Sequence, residues 1–194
     1  MALTGILALQ GAFREHGKIL SQLGAPHKEI RQLKDLEGID SLIIPGGEST
    51  TIGKLLNDLA LIGPLQEKID AGMPVYGTCA GLILLAKEIE DSEQPRLGKI
   101  DMRVRRNAFG RQVDSFEADL PIPVLGQEAF PAVFIRAPII LDYSPHVEVL
   151  ADIEQDGKRR AVAVRQGKLL ASSFHPELTQ DPRMHKYFLE LARS

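Results

Sequence analysis

The sequence predicts an α/β protein built on an open, mostly parallel β-sheet with helices on both faces. Three observations lead there. Strand and helix patterns alternate through the first half of the chain. One strand, Ser41-Leu42-Ile43-Ile44, is a continuous apolar run of the kind that parallel strands show when both faces are covered. Glycine-containing turns follow predicted strands directly, and in such sheets chemistry gathers at the strands' carboxyl ends.

Taken in order, Leu3 to Leu9 reads as the first strand. Phe13, His16, Leu20 and Leu23 then recur at helical spacing, and Gly24 supplies the stop. The run ending at Ile44 meets Pro45-Gly46-Gly47, after which Ile52, Leu55, Leu56 and Leu59 mark a second helix. Pro74 to Gly77 is the next strand and leads through Thr78-Cys79-Ala80-Gly81 into an apolar helix, Leu82 to Ala86. The second half is richer in strands: Ala132 to Ile135, Val147 to Leu150, Ala161 to Val164 and Leu169 to Phe174, with a hairpin turn at Gln166-Gly167-Lys168. Asp181-Pro182 is a helix start, an N-cap followed by proline at the first helical position, and the last helix runs to about Ala192. No repeat, low-complexity tract or linker divides residues 1–194, so one domain is expected.

Composition narrows the function. The chain has 23 basic and 26 acidic residues, a formal charge of -3, which argues against a nucleic-acid partner. Its one basic cluster, Arg103, Arg105, Arg106 and Arg111, is mixed with apolar residues and reads as a solvated face with one or two substrate contacts. The N-terminus lacks a cationic lead and a small-residue cleavage site, and no apolar run reaches the roughly 18 residues of a membrane span. A single cysteine forms no internal disulfide, which suits a reducing cytoplasm and leaves the thiol free for chemistry.

Three turns carry chemical signals. Gly77-Thr78-Cys79-Ala80-Gly81 has the G-x-C-x-G form of a nucleophile elbow, a sharp strand-to-helix turn that exposes the nucleophile above the sheet. A helix N-terminus there favours the thiolate. A lone cysteine is otherwise most simply a small buried hydrophobe, and it is the flanking glycines and the strand-before, helix-after context that favour the nucleophile. His175-Pro176-Glu177 follows another strand. Proline keeps His175 extended, and residues two apart on an extended segment share a side, so the carboxylate reaches the imidazole. That is the base and orienting group a cysteine nucleophile requires. Of the other histidines, His27 and His185 read as surface residues and His16 as part of the first helix's apolar face. The third signal, Pro45 to Thr51, fits no phosphate loop, since Leu55 stands where Ser or Thr is required after Lys54. Its glycines suit oxyanion donors, and a plain strand-to-helix turn serves equally well.

Together these residues resemble the class I (triad) glutamine amidotransferases, whose signature is a G-x-C-x-G elbow with a distant H-P-E. Within that family, Leu9 to Ala12, Arg14 to His16, Pro45 to Thr51, Gly77 to Gly81, Arg106-Asn107, Phe109 to Asp119, Phe134 to Pro138 and Ser173 to Thr179 are similar to the glutaminase subunits that serve pyridoxal 5′-phosphate synthases. Ala108 stands where such subunits more often have Ser. The resemblance implies a flavodoxin-like three-layer fold. It implies that Cys79, His175 and Glu177 release ammonia from L-glutamine, with glutamine held at Gly47, Glu48, Ser49, Arg106, Ile135 and Arg136. Backbone N–H groups of Gly47 and Ala80 would hold the oxyanion, and Gln10 would brace the nearby loop or meet the partner. No metal or organic cofactor is needed. The partner would be the synthase subunit, in a large hetero-oligomer, with no membrane or nucleic acid involved. The rival readings are a free-standing triad hydrolase, a non-catalytic subunit of the same fold, and an amidotransferase feeding another pathway.

Overall fold

The computed structural model describes residues 2–106, 115–155 and 157–194. In chain order the elements are β1 (Thr4–Leu7), α1 (Phe13–Gln22), β2 (His27–Ile30), β3 (Ser41–Ile44), α2 (Ser49–Asp58), α3 (Ile62–Asp70), β4 (Val75–Thr78), α4 (Ala80–Leu85), β5 (Ala86–Ile89) and β6 (Ile100–Arg105). They continue with β7 (Ser115–Leu120), β8 (Phe130–Ile135), β9 (Ile139–Tyr143), β10 (Glu148–Gln155), β11 (Lys158–Gln166), β12 (Leu169–Ser172) and α5 (Arg183–Arg193).

The main sheet has seven strands in the order β10-β11-β12-β4-β3-β1-β2. From β12 to β2 every pairing is parallel, and at the other edge β11 runs antiparallel to both of its neighbours, β10 and β12. The parallel part therefore has the 2-1-3-4-5 order of flavodoxin-like sheets. Two small sheets stand apart from it, β5-β6-β9 and the hairpin β7-β8.

Strand alternation sorts the core into two clusters, one on each face. Ile6, Ile43, Tyr76 and Leu170 pack with Leu20 of α1 and with Met184 and Phe188 of α5. Their sequence neighbours Leu7, Leu42, Ile44, Val75 and Ala171 pack with Ile52 and Leu56 of α2, Leu65 and Ile69 of α3, and Leu82 to Leu85 of α4. Side chains two apart on a strand share a face, so burial on both faces demands the near-continuous apolar runs that the sequence carries.

Several boundaries differ from expectation for local reasons. The first strand ends at Leu7 rather than Leu9, and the apolar helix ends at Leu85, because Ala86 opens β5. The last helix begins one residue late. Pro182 takes the N-cap position, while the Asp181 carboxylate accepts from the Arg183 N–H at 2.9 Å and so still serves the helix start. His185 is not a surface residue: α5 presses it into the core, fully buried. Of the segment around Phe109 to Glu117, residues 109–114 lie outside the described residues, and Ser115 to Glu117 belong to β7. Among the described residues no helix is long and apolar enough to cross a membrane.

Candidate active site

β12, β4, β3 and β1 are consecutive neighbours in the sheet, and the turns beyond their carboxyl ends carry His175, Cys79, Gly46 to Ser49 and Gln10. Residues far apart in sequence therefore meet above one edge of the sheet.

Cys79 sits between β4 and α4 with φ 50° and ψ −101°, a left-handed backbone rarely adopted outside glycine. Its N–H donates to the Ser172 carbonyl at 2.8 Å, which ties the turn to the neighbouring strand. The flanking glycines are required by close approach. A Cβ at residue 81 would lie 2.1 Å from the Ile44 carbonyl oxygen, and one at residue 77 would lie 2.5 Å from the Gly81 carbonyl. The elbow is packed so tightly that position 77, against Gly81, and position 81, against β3, have no room for a side chain. α4 has only six residues, so its dipole is short.

His175 is extended, at φ −103° and ψ 90°, and its N–H donates to the Val133 carbonyl at 2.8 Å. The extended backbone stops there. Pro176 to Leu178 form one 3-10 turn, and this turn, rather than a continued strand, brings Glu177 back to the ring. His175 Nδ1 and Glu177 Oε1 are 2.7 Å apart, leaving Nε2 as the nitrogen for the Cys79 side chain. Gly46 flanks the ring closely: a Cβ there would be 2.4 Å from His175 Cε1. Burial alone would push the His175 pKa down. Hydrogen bonds to Cys79 and Glu177, with the charge on both, prevail and raise it to about 10. Burial would likewise raise the Glu177 pKa, but His16 and the bond to His175 hold it below the ordinary carboxylate range.

A cavity of about 380 Å³ opens over Cys79. Gln10, Gly47, Glu48, Ser49, Cys79, Ala80, Arg106, Ile135, Arg136 and His175 all line it, together with Ile83, which the sequence did not single out. Glu177 lies behind His175, buried. Ala80 opens α4, so its N–H has no acceptor within the helix. Arg106 ends the β6 side of the cavity, and Arg136 is exposed with φ 41°. Two details bear on how a ligand is held. The Glu48 carboxylate caps α2, accepting from the N–H groups and hydroxyls of Thr50 and Thr51. Burial opposes that ionisation, yet these bonds lower the pKa to about 2. The carboxylate is thus engaged by its own helix, and the Glu48 N–H donates to Gln10 Oε1 at 2.8 Å.

Residues 6–194 match the model of the SNO glutamine amidotransferase family. The chain belongs to that family. It is 59% identical over 186 residues to the pyridoxal 5′-phosphate synthase subunit PdxT of Carboxydothermus hydrogenoformans, covering 96% of this chain and 95% of that protein. The PdxT of Moorella thermoacetica is also 59% identical, over 187 residues, covering 96% and 97%. Among solved structures, a glutamine amidotransferase superposes with a TM-score of 0.91 at 53% identity, covering 98% of this chain and 99% of that one.

For this SNO-family chain, one contact escaped the sequence reading. His16 Nε2 stands 3.5 Å from Glu177 Oε2, so a histidine of the first helix touches the third member of the constellation. The available signal was a polar residue set among Phe13, Leu20 and Leu23 on an otherwise apolar helical stripe.

Proposed function

We propose that this chain, as one glutaminase domain, hydrolyses L-glutamine to L-glutamate and ammonia and passes the ammonia to the synthase subunit of a cytoplasmic pyridoxal 5′-phosphate synthase. The observation that carries the chemistry is His175, seated on Glu177 at 2.7 Å with its other nitrogen left for Cys79, at the floor of a cavity. The pathway reading is supported by relatives named PdxT that share 59% of their residues over nearly their whole length.

His175 Nε2 takes the thiol proton, and the thiolate adds to the side-chain amide carbon of glutamine. The amide oxygen becomes an oxyanion, for which the Gly47 and Ala80 N–H groups are the donors. As the carbon–nitrogen bond breaks, the imidazolium returns its proton to the departing nitrogen and ammonia leaves. The remaining γ-glutamyl thioester is attacked by water, which gives a proton to His175 as it adds. The carbon–sulfur bond then breaks, the thiolate regains the proton, and glutamate departs. Glu177 keeps the ring in one orientation and stabilises its positive form. At the amino-acid end, Arg106 pairs with the α-carboxylate. With the Glu48 carboxylate engaged by Thr50 and Thr51, the backbone around Gly47 to Ser49 and at Ile135 and Arg136 supplies the other contacts.

The test is glutamate release by the chain in complex with a pyridoxal phosphate synthase subunit. Cys79→Ala should abolish it while leaving assembly intact, and a glutamine analogue with an electrophilic side chain should label Cys79 alone. Glutamate release by the Ala variant, or labelling elsewhere, refutes the assignment.

A further inference from the structure

Behind Glu177, on the side away from Cys79, lie two more histidines that the reaction as derived does not use. His16 of α1 and His185 of α5 both have 0% exposure. His16 Nδ1 is 2.8 Å from His185 Nε2, while His16 Nε2 faces Glu177 Oε2 at 3.5 Å and Thr78 Oγ1 at 3.3 Å. Glu177 Oε1 is taken by His175. Its Oε2 is buried without a hydrogen-bond partner, so the imidazole facing it is the group that offsets the loss of water there.

One proton arrangement satisfies every contact. A ring nitrogen facing a carboxylate must carry hydrogen, since a lone pair there would be repelled, so His16 bears its proton on Nε2. Burial, its largest influence, lowers the His16 pKa and keeps the ring neutral despite the Glu177 charge, so Nδ1 is an acceptor. His185 must then donate from Nε2, leaving Nδ1 bare. His185 Nδ1 is the ring atom buried without a partner, so what goes unmatched is a lone pair rather than an N–H. Each N–H is thus donated in the direction of Glu177, from His185 to His16 and from His16 to the carboxylate side.

We infer that His16, held in this tautomer by His185, is a positioning residue that fixes the Glu177 carboxylate and through it the His175 ring. The inference rests on the triad reading above. Packing alone does not account for the pair. Its surroundings are aromatic and apolar, with Tyr76 edge-on to His185 at 6.3 Å and stacked obliquely on Phe188 at 5.7 Å. An aliphatic side chain in either place would fill that space without the desolvation cost of two imidazoles.

The experiment measures kcat and KM for glutamine in the complex with the synthase subunit. His16→Leu should lower kcat about tenfold, the order expected when a buried acceptor loses the polar group that faces it, with KM unchanged. His16→Gln, which returns an N–H near the Nε2 position, should recover part of the loss. In a Glu177→Gln background, His16→Leu should cost nothing further, because there is no carboxylate left to position. Should His16→Leu fail to fold, His185→Phe provides the same reading: it frees His16 to move its proton to Nδ1 and should lower kcat several-fold at constant KM. Wild-type kcat in the folded variants, or an equal loss in the Glu177→Gln background, overturns the inference. A Cys79→Ala variant assayed alongside separates the two levels, since its activity would sink the triad itself, whereas an inert Cys79→Ala with an indifferent His16→Leu sinks only the role of His16.

Discussion

Gly46 offers a severe test of the site because its geometry leaves little freedom. A Cβ there would stand 2.4 Å from His175 Cε1 and 2.8 Å from Nδ1, against an ordinary contact of at least 3.4 Å. The backbone has no easy retreat, since the Gly46 carbonyl accepts from the Ala12 N–H at 2.9 Å and the elbow lies beneath. Gly46→Ala should therefore displace the imidazole by about 1 Å, enough to spoil its bond to Glu177 and its aim at Cys79. Misplacement of that size costs on the order of 100-fold in rate, or about 2.7 kcal/mol of barrier. The loss should fall on kcat, with KM for glutamine little changed, because the non-reacting end of the substrate is held elsewhere. The assay is glutamate release in the presence of the synthase subunit, with the labelling rate of Cys79 by an electrophilic glutamine analogue as a second readout. Both should fall together while the melting temperature shifts by only a few degrees. A kcat within about twofold of wild type, in a folded protein, would refute the reasoning that His175 must sit where it does.

Other outcomes follow from the same contacts. Cys79 and Glu177 together raise the His175 pKa to about 10, and Glu177→Gln removes the carboxylate's share, so the imidazolium loses its proton at lower pH. The alkaline limb of the kcat/KM profile should move acidward, and an unmoved limb would mean that another group sets it. Arg106→Ala should raise KM for glutamine more than it lowers kcat, and the reverse split would place Arg106 in the chemical step. Glu48→Ala removes the cap of α2 and should cost about 1 kcal/mol of stability near neutrality. Because the folded pKa of Glu48 is depressed to about 2 from 4.5, that difference between variant and wild type should be full above pH 4.5 and shrink as the pH falls towards 2. Calorimetry across that range checks it.

What the sequence made legible was local. β3 and α1 read directly, because an apolar run closed by glycines and a helical stripe closed by Gly24 each contain their own boundaries. The elbow and the H-P-E turn were legible for the same reason. What was hidden depended on partners remote in the chain. His185 looked like a surface residue on α5, because nothing in its neighbourhood announces that His16, 169 positions earlier, waits to bond it. Glu48 was named only as one of the residues holding glutamine, and its geometry shows the carboxylate folded back on Thr50 and Thr51. The small sheet β5-β6-β9 escaped notice because two of its strands lack a clean alternation: β5 places Lys87 beside Glu88, and β9 carries a single charge, Asp142, paired across the surface with Arg103. The alternation of β6, Ile100 to Arg105, is the pattern of a half-solvated strand, and that signal was present in the sequence.

The meeting of Cys79 with His175 is a consequence of strand register. β12 and β4 run parallel with Ser172 opposite Thr78, so the turns after each strand leave the sheet at the same level. A slip of two residues would carry His175 about 6.6 Å along the strand and out of reach of the thiol. A slip of one would be worse for the fold, because it would turn Leu170 from the cluster of α1 and α5 towards that of α2, α3 and α4, with Leu169 and Ala171 making the opposite exchange. The large residues that hold the two faces apart thereby also hold Cys79 beside His175. On this reasoning the proposed triad needs no dedicated scaffold of its own. Burial on both faces of a parallel sheet specifies register, register specifies which strand ends are level, and the glycines at 46, 77 and 81 let those ends approach within bonding distance.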